Sequence, residues 1–297
     1  MFAEKIGPAL FLSVRQFILN HTLWRELAMP RLSINELTTF RWTFEEDLRQ
    51  YQAAGITAIG VWRRKIADVG EDHAVELLAA SGMAVSNMVW IGGFTGSDGV
   101  PYRDALDDAR EAIELAARMK CPTIVVYSGG RAGHTMNHAR RLFQNALAEL
   151  LPLAEERGVK LALEMVHPNY TAEWSILTQV DELLQLREKL NSPALSLALD
   201  TYHAGLQPEV LRRLADLVPH LAVVHLGDGR EAPEHEQTRT RLGDGLVPLA
   251  EIFQELRRLG YDGDYDVELL GPEIEKNNYL ELLQHCKAVF ERLSTAE

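Results

Sequence analysis

The strongest constraint on the fold is an alternation that runs along most of the chain. Short apolar runs rich in β-branched and aromatic residues recur about every 25 to 45 residues, and longer segments with helical periodicity separate them. Because parallel strands need long crossovers, usually helical ones, this order predicts βα units around a parallel sheet. The eight candidate strands read RLSINE, GITAIGVW, GMAVSNMVW, PTIVVYS, VKLALEMV, LSLALDT, HLAVVHLG and YDVELL.

Eight βα units predict a closed (β/α)8 barrel, the TIM barrel, as a single domain over residues 31–297. An open doubly wound sheet is the alternative, but no G-x-G-x-x-G turn follows the first candidate strand and no P-loop motif occurs. Residues 1–30 are predicted as an additional N-terminal helical extension, because apolar side chains from Phe11 to Trp24 fit one helical face.

Composition excludes several classes of partner. The 297 residues carry a formal net charge of -13, so the surface repels duplex DNA and anionic membranes. The apolar stretch ALFLSV is cut short by Arg15 and no cleavage site follows it, so we predict neither a signal peptide nor a membrane span. Two cysteines, Cys121 and Cys286, cannot form a disulfide framework and fit a reducing, cytoplasmic location.

Four consecutive candidate strands end in a titratable residue: Glu164, Asp200, His225 and Glu268. Each alone would be an ordinary strand-end residue, but barrel strands deliver their last residues to one mouth, where active sites of this fold lie. Three carboxylates brought together in a low-dielectric site need a compensating cation. We therefore predict that the four residues bind one divalent metal ion. The oxygen-rich ligand set favours Mn or Mg, with Co, Zn or Fe as alternatives.

At these residues the chain resembles the xylose-isomerase-like barrel superfamily, specifically its sugar phosphate isomerase/epimerase branch. The resemblance covers about residues 32–290 and is carried by LALEMVHP, LALDTYHAG, VVHLGDGR, RLGDGLVPLAEIFQELRRLGYDG and DVEL. It implies that the four strand-end residues hold one metal and that Glu164 and Glu268 also form the acid/base pair. It implies in addition that His203 and Arg230 contact substrate oxygens.

The sequence departs from the ketohexose 3-epimerases of that branch at two points. Those enzymes carry another glutamate where this chain has Tyr170, and their arginine follows the metal-binding histidine by six residues, whereas Arg230 follows His225 by five. Both differences argue against a free ketohexose substrate. The endonuclease branch of the superfamily needs a D-x-H pair where this chain has Gln237 and Arg239, which, with the acidic charge, excludes DNA repair.

Three further residues are candidates for substrate binding. His167 follows the fifth strand and is placed to face the mouth, although a loop position is an equal alternative. Trp62 and Trp90 end the second and third strands, where they would form an apolar wall against a sugar ring. Packing within the barrel is the alternative for both tryptophans.

This set of residues predicts a metal-dependent isomerase or epimerase of a sugar, sugar phosphate or polyol. A metal beside a carbonyl and a neighbouring hydroxyl favours the enediolate that forms when the shared carbon loses a proton. Glu164 and Glu268, on nonadjacent strands, would act as base and acid on opposite faces. The same site would support a dehydratase of the inosose or 3-dehydroshikimate type. A non-catalytic binding protein is a third reading, and the N-terminal helix would permit a homodimer.

Overall fold

The computed structural model describes residues 30–170, 174–233 and 238–295. From Arg31 onward the chain forms one compact unit. The helical extension predicted over residues 1–30 lies outside the described residues, apart from Pro30.

Eight parallel strands close into a barrel in which each strand pairs with its neighbours in sequence and the eighth pairs with the first. This arrangement confirms the predicted (β/α)8 barrel. The strands stand out in the sequence because parallel strands covered on both faces are almost continuously apolar. They are β1 (Arg31–Asn35), β2 (Ala58–Trp62), β3 (Ala84–Ile91), β4 (Thr123–Val126), β5 (Lys160–Glu164), β6 (Leu195–Asp200), β7 (Leu221–Leu226) and β8 (Asp264–Val267).

Helices cover the outside of the barrel where the sequence shows amphipathic segments. The first described helix begins after Thr43, whose side chain accepts a hydrogen bond from the backbone of Glu46, while the Glu46 carboxylate accepts one from the backbone of Thr43. No helix among the described residues is both long enough and apolar enough to cross a membrane. The helices are α1 (Phe44–Ala53), α2 (Arg63–Val69), α3 (Glu71–Ser81), α4 (Tyr102–Arg118), α5 (Met136–Arg157), α6 (Val180–Leu190), α7 (Thr201–Ala204), α8 (Pro208–Leu211), α9 (Leu214–Leu217), α10 (Leu249–Arg258), α11 (Pro272–Glu275) and α12 (Tyr279–Thr295).

Apolar side chains form two separate clusters. The larger cluster packs the sheet against the helices and includes residues such as Ile59, Phe143 and Phe253. The smaller one includes Ala162 and Ala198, which stand two residues before the ends of β5 and β6. Because side chains alternate along a strand, these alanines share a strand face with the titratable residues at the ends of the same strands. The small cluster therefore lies inside the barrel, below the predicted site.

Candidate active site

The carboxyl ends of β5 to β8 bring the four predicted metal ligands together. One ligand atom from each of Glu164, Asp200 and His225 lies within 4.8 Å of the others. The fourth residue joins them, because Glu268 Oε2 is 2.9 Å from His225 Nδ1, and Glu164 Oε1 is 3.2 Å from the same nitrogen. All four side chains are buried. The strand ends therefore place three carboxylates around one imidazole.

The chemistry of this set fits a divalent metal ion. Glu268 Oε2 is buried, and no donor with hydrogen-bond geometry reaches it among the described residues. A buried carboxylate oxygen without such a partner is costly, and a cation would satisfy it. Three carboxylates and one imidazole are ligands that several divalent metals accept. Glu164, Asp200, His225 and Glu268 could therefore hold the metal that the sequence predicts.

Arg239 is a member of this site that the sequence analysis did not select. Its side chain is 1% exposed. Nη2 donates hydrogen bonds to Asp200 Oδ2 at 2.7 Å and to Glu268 Oε1 at 3.0 Å, and Nη1 donates to the backbone carbonyl oxygen of Glu268 at 2.9 Å. Nothing in the local sequence distinguishes Arg239 from Arg241, whose side chain is exposed and paired with Asp244. Only the folded loop shows which arginine enters the site.

A buried aspartate shapes the loop that follows Arg239. The carboxylate of Asp228 accepts hydrogen bonds from four backbone N–H groups, at distances from 2.8 to 3.1 Å. Its backbone carbonyl accepts a fifth, from Thr240, at 2.9 Å. The segment just after Arg239 is thus anchored to the end of β7. The four donors to the carboxylate belong to Gly229, Gly243, Gly245 and Val247.

The electrostatics of the four strand-end residues are set by burial and by each other. Burial raises the pKa of Glu164. Burial also opposes the charge on Glu268, but Arg239 and His225 outweigh it and lower the pKa of Glu268 to about 2. For His225, burial favours the neutral ring, yet the carboxylates of Glu268 and Glu164 raise its pKa well above the usual value. Among the described residues, the guanidinium of Arg239 supplies positive charge next to Asp200 and Glu268.

His203 lies beside the metal-ligand candidates on a short helix, α7. Asp200 ends β6 and caps this helix, since its Oδ1 accepts a hydrogen bond from the backbone of Tyr202 at 2.7 Å. The His203 side chain is buried, with Nε2 4.0 Å from Asp200 Oδ2. Burial lowers the pKa of His203 to about 4, so its ring is neutral at pH 7. The backbone N–H of His167 donates to His203 Nδ1 at 3.4 Å, which brings His167 next to the site.

Trp62 and Trp90 both pack against the small apolar cluster inside the barrel. Each also contacts an aromatic ring from a loop: Trp62 lies 5.5 Å from Phe40, and Trp90 lies 5.3 Å from Trp174, measured between ring centroids. Neither tryptophan is fully buried. They therefore stand at the rim of the barrel. This position fits both the predicted apolar wall against a sugar ring and packing within the barrel.

The structure places Arg230 apart from the four strand-end residues. Its exposed guanidinium donates two hydrogen bonds to the carboxylate of Glu273, at 2.5 and 3.0 Å. Tyr170, at the position of the additional epimerase glutamate, is buried, and its ring lies edge-on to His203 at 5.4 Å between centroids. The ring of Tyr170 thus packs against His203, at the position where the ketohexose 3-epimerases carry a glutamate.

A polar layer lies beneath His225, on the interior side of the barrel, and the sequence analysis missed it. Asp266 lies in β8, two residues before Glu268, and its Oδ2 accepts hydrogen bonds from Asn35 Nδ2 and Asn87 Nδ2, both at 2.8 Å. Asn87 Oδ1 lies 3.3 Å from His225 Nε2. A side chain at Gly60 would come within 2.2 Å of Asp266 Oδ2, so only glycine leaves room for this carboxylate.

Comparison with known proteins supports this reading of the barrel. Residues 48–289 match the xylose isomerase-like TIM barrel family. Ketose 3-epimerase of Arthrobacter globiformis is 31% identical over 119 residues, which are 40% of this chain and 37% of that protein. Inosose isomerase of Halalkalibacterium halodurans is 24% identical over 201 residues, 65% of this chain and 69% of that protein. The match thus spans little more than a third of the epimerase.

Among solved structures, the IolI protein crystallised with a bound zinc atom superposes with a TM-score of 0.76 at 20% identity. That superposition covers 89% of this chain and 98% of IolI, and at this identity it shows a shared fold. The family match extends over most of the barrel, from α1 to α12. The chain belongs to the xylose isomerase-like TIM barrel family, whose members similar to it include proteins named as sugar epimerases and isomerases.

Proposed function

We propose that the protein is a metal-dependent isomerase or epimerase of a sugar, sugar phosphate or polyol. The observation that carries this proposal is the convergence of three carboxylates and one imidazole, buried at the ends of four consecutive strands. Relatives named ketose 3-epimerase and inosose isomerase support the same class of reaction. The reaction would move a proton on a carbon next to a carbonyl group.

We assign the metal to Glu164, Asp200, His225 and Glu268, with Mn or Mg as the favoured ion and Co, Zn or Fe as alternatives. When bound, a divalent ion supplies positive charge that stabilises the negative charge developing on a substrate oxygen during proton removal. The mutual distances of Glu164, Asp200 and His225, and the 2.9 Å that separate Glu268 Oε2 from His225 Nδ1, support this assignment.

Glu164 and Glu268 are the proposed acid/base pair. Glu164 ends β5 and Glu268 directly follows β8, strands that β6 and β7 separate, and both side chains reach the Nδ1 side of His225. Carboxylates that approach from two strands can remove a proton from one face of a planar intermediate and return it to the other. Epimerisation follows when the proton returns to the same carbon, and isomerisation follows when it returns to the neighbouring carbon.

The substrate would be held by residues around this pair. His203 is buried beside Asp200, and its neutral ring can donate or accept a hydrogen bond with a substrate hydroxyl. His167 lies next to it, and Trp62 and Trp90 offer apolar faces at the rim. The substrate contact of Arg230, which is exposed and bound by Glu273, stays a prediction, whereas Arg239 lies among the ligands and orients Asp200 and Glu268.

Proton exchange with solvent tests this proposal directly. The Mn-loaded protein is incubated in D2O with ketoses, their phosphates, inososes and 3-dehydroshikimate, and NMR follows deuterium uptake, with EDTA-treated protein as the control. Metal-dependent uptake at a carbon next to a carbonyl would support proton transfer at this site. The product then distinguishes epimerase from isomerase, and loss of water would instead identify the dehydratase. No uptake from any of these compounds would contradict the proposal.

A further inference from the structure

A further buried carboxylate lies below the proposed metal site, and the mechanism does not use it. Asp266 is fully buried inside the barrel, at the level below His225. Asn35 and Asn87 both donate to its Oδ2, while its Oδ1 has no hydrogen-bond partner among the described residues. The absence of a side chain at Gly60 makes the space for it. Because burial of an acidic group is costly, we expect Asp266 to have a function that compensates for this cost.

The two nitrogens of His225 face different surroundings. Nδ1 lies 2.9 Å from Glu268 and 3.2 Å from Glu164, within the proposed metal site. Nε2 points to the barrel interior, 3.3 Å from Asn87 Oδ1 and 3.9 Å from Asp266 Oδ2. A histidine that binds a metal through one nitrogen is held in place by the acceptor that its other N–H meets. Asn87 Oδ1 provides that acceptor, and Asp266 lies behind it.

Asp266 also determines which way the Asn87 amide points. Its Oδ2 accepts a hydrogen bond from Asn87 Nδ2. An amide that donates through its nitrogen to Asp266 presents its oxygen to the opposite side, which is the side of His225 Nε2. If Asp266 were an amide, Asn87 would lose this bias, and its NH2 group could turn toward the histidine instead.

We propose that Asp266 is a positioning residue for the metal site, acting on His225 through Asn87. The inference rests on the metal centre assigned under the proposed function. It adds a requirement that the four ligands alone do not contain: the interior polar layer must be intact for His225 to bind the metal through Nδ1.

The isosteric variant Asp266→Asn tests this role through metal affinity, without any need for turnover. We expect its Mn2+ affinity, measured by electron paramagnetic resonance of free Mn2+ in a titration, to fall about 10- to 100-fold. The matched control is Asp264→Asn, on the same strand. Asp264 pairs with Arg31 and has no contact with His225 among the described side-chain hydrogen bonds and ion pairs, so this control should keep the parental Mn2+ affinity.

A spectroscopic measurement separates positioning from general destabilisation. In Zn-loaded protein with 15N-labelled histidine, the Nε2–H signal of His225 should shift in Asp266→Asn and stay unchanged in Asp264→Asn. Unchanged Mn2+ affinity and an unchanged Nε2–H signal in Asp266→Asn would overturn the inference while leaving the proposed function intact. Failure of the unsubstituted protein to bind Mn2+ would overturn both.

Should Asp266→Asn fail to fold, Asn87→Ala decides the matter. This variant removes the oxygen that lies next to His225 Nε2 but leaves the carboxylate in place. We expect it to weaken Mn2+ binding in the same direction. An affinity equal to that of the unsubstituted protein would contradict the role assigned to the Asn87–Asp266 pair.

Discussion

Arg230 and Arg239 belong to the same loop after β7, yet they lie in opposite surroundings. Arg230 is 58% exposed and paired with Glu273, whereas Arg239 is 1% exposed and joins Asp200 to Glu268. Exposed ion pairs contribute little to stability, because water screens them and their side chains lose freedom. Removing one partner of a buried pair leaves a charge without compensation, which is strongly destabilising.

The first prediction compares these two arginines. Arg239→Met should lower the free energy of unfolding by about 3–5 kcal/mol, because Asp200 and Glu268 lose their buried counter-charge. Urea unfolding in the presence of EDTA measures this loss without any contribution from metal binding. The matched control is Arg230→Met, which should unfold close to the parental midpoint. Equal losses in the two variants would show that Arg239 is not the buried partner that the contacts indicate.

The second prediction concerns Glu268. Glu268→Gln keeps the shape of the side chain but removes the charge of a metal ligand and of a proton carrier, so deuterium exchange should fall by about 100-fold or more. Circular dichroism should still report a folded barrel. Glu273→Gln, which alters an exposed glutamate bound to Arg230, serves as the control and should retain exchange. Near-parental exchange in Glu268→Gln would remove Glu268 from the catalytic pair.

Site residues at the ends of strands were predictable from the sequence, whereas the site residue that lies in a loop was not. Glu164 and Asp200 were found because each ends an apolar strand. Arg239 follows no strand directly, and the segment that begins at the next residue is held by hydrogen bonds to Asp228, which sequence patterns do not report. Asp266 did leave a signal, since it lies in β8 two residues before Glu268, a spacing at which side chains along an extended chain point to the same side.

The loop anchored by Asp228 supplies the third prediction. In Asp228→Ala, the backbone N–H groups that its carboxylate accepts would lose their partner, so we expect a loss of about 2–3 kcal/mol in stability. Exchange activity should also fall, because the segment next to Arg239 would no longer be fixed. Asp244→Ala is the control, since Asp244 lies in the same loop but pairs with the exposed Arg241. Urea unfolding and deuterium exchange of both variants measure the two effects.

Asp244→Ala should differ little from the parent protein in both measurements. A loss in Asp244→Ala as large as that in Asp228→Ala would mean that the loop tolerates no change at all, and would contradict a specific anchoring role for Asp228.

For the whole molecule, a ligand that joins β5, β6, β7 and β8 should stabilise the closed barrel. The four strands whose ends carry the proposed metal-binding residues are neighbours, and the barrel closes only when β8 also pairs with β1. Metal binding to the folded state alone shifts the unfolding equilibrium by mass action. The chain as a whole should therefore respond to metal ions in its thermal stability, independently of any substrate.

The fourth prediction measures that response. Free Mn2+ at 100 times its dissociation constant should add about 2.7 kcal/mol to the free energy of unfolding. For a protein of 297 residues, with about 2.1 cal/mol/K of unfolding entropy per residue, this corresponds to a rise of roughly 4 °C in Tm. Calorimetry with Mn2+ and then with excess EDTA follows the rise and its reversal. Glu164→Gln should show a smaller rise, and an identical rise in that variant would place the metal elsewhere.

The four strand-end residues described above all come from β5 to β8, and none comes from β1 to β4. One half of the barrel thus carries the residues proposed for the reaction, whereas the other supports them from the interior through Asn35 and Asn87 and contributes Trp62 and Trp90 at the rim. Loops after the first four strands could therefore change in length and composition without altering the residues proposed for the reaction. A barrel built in this way could accept a different substrate while those residues stay the same.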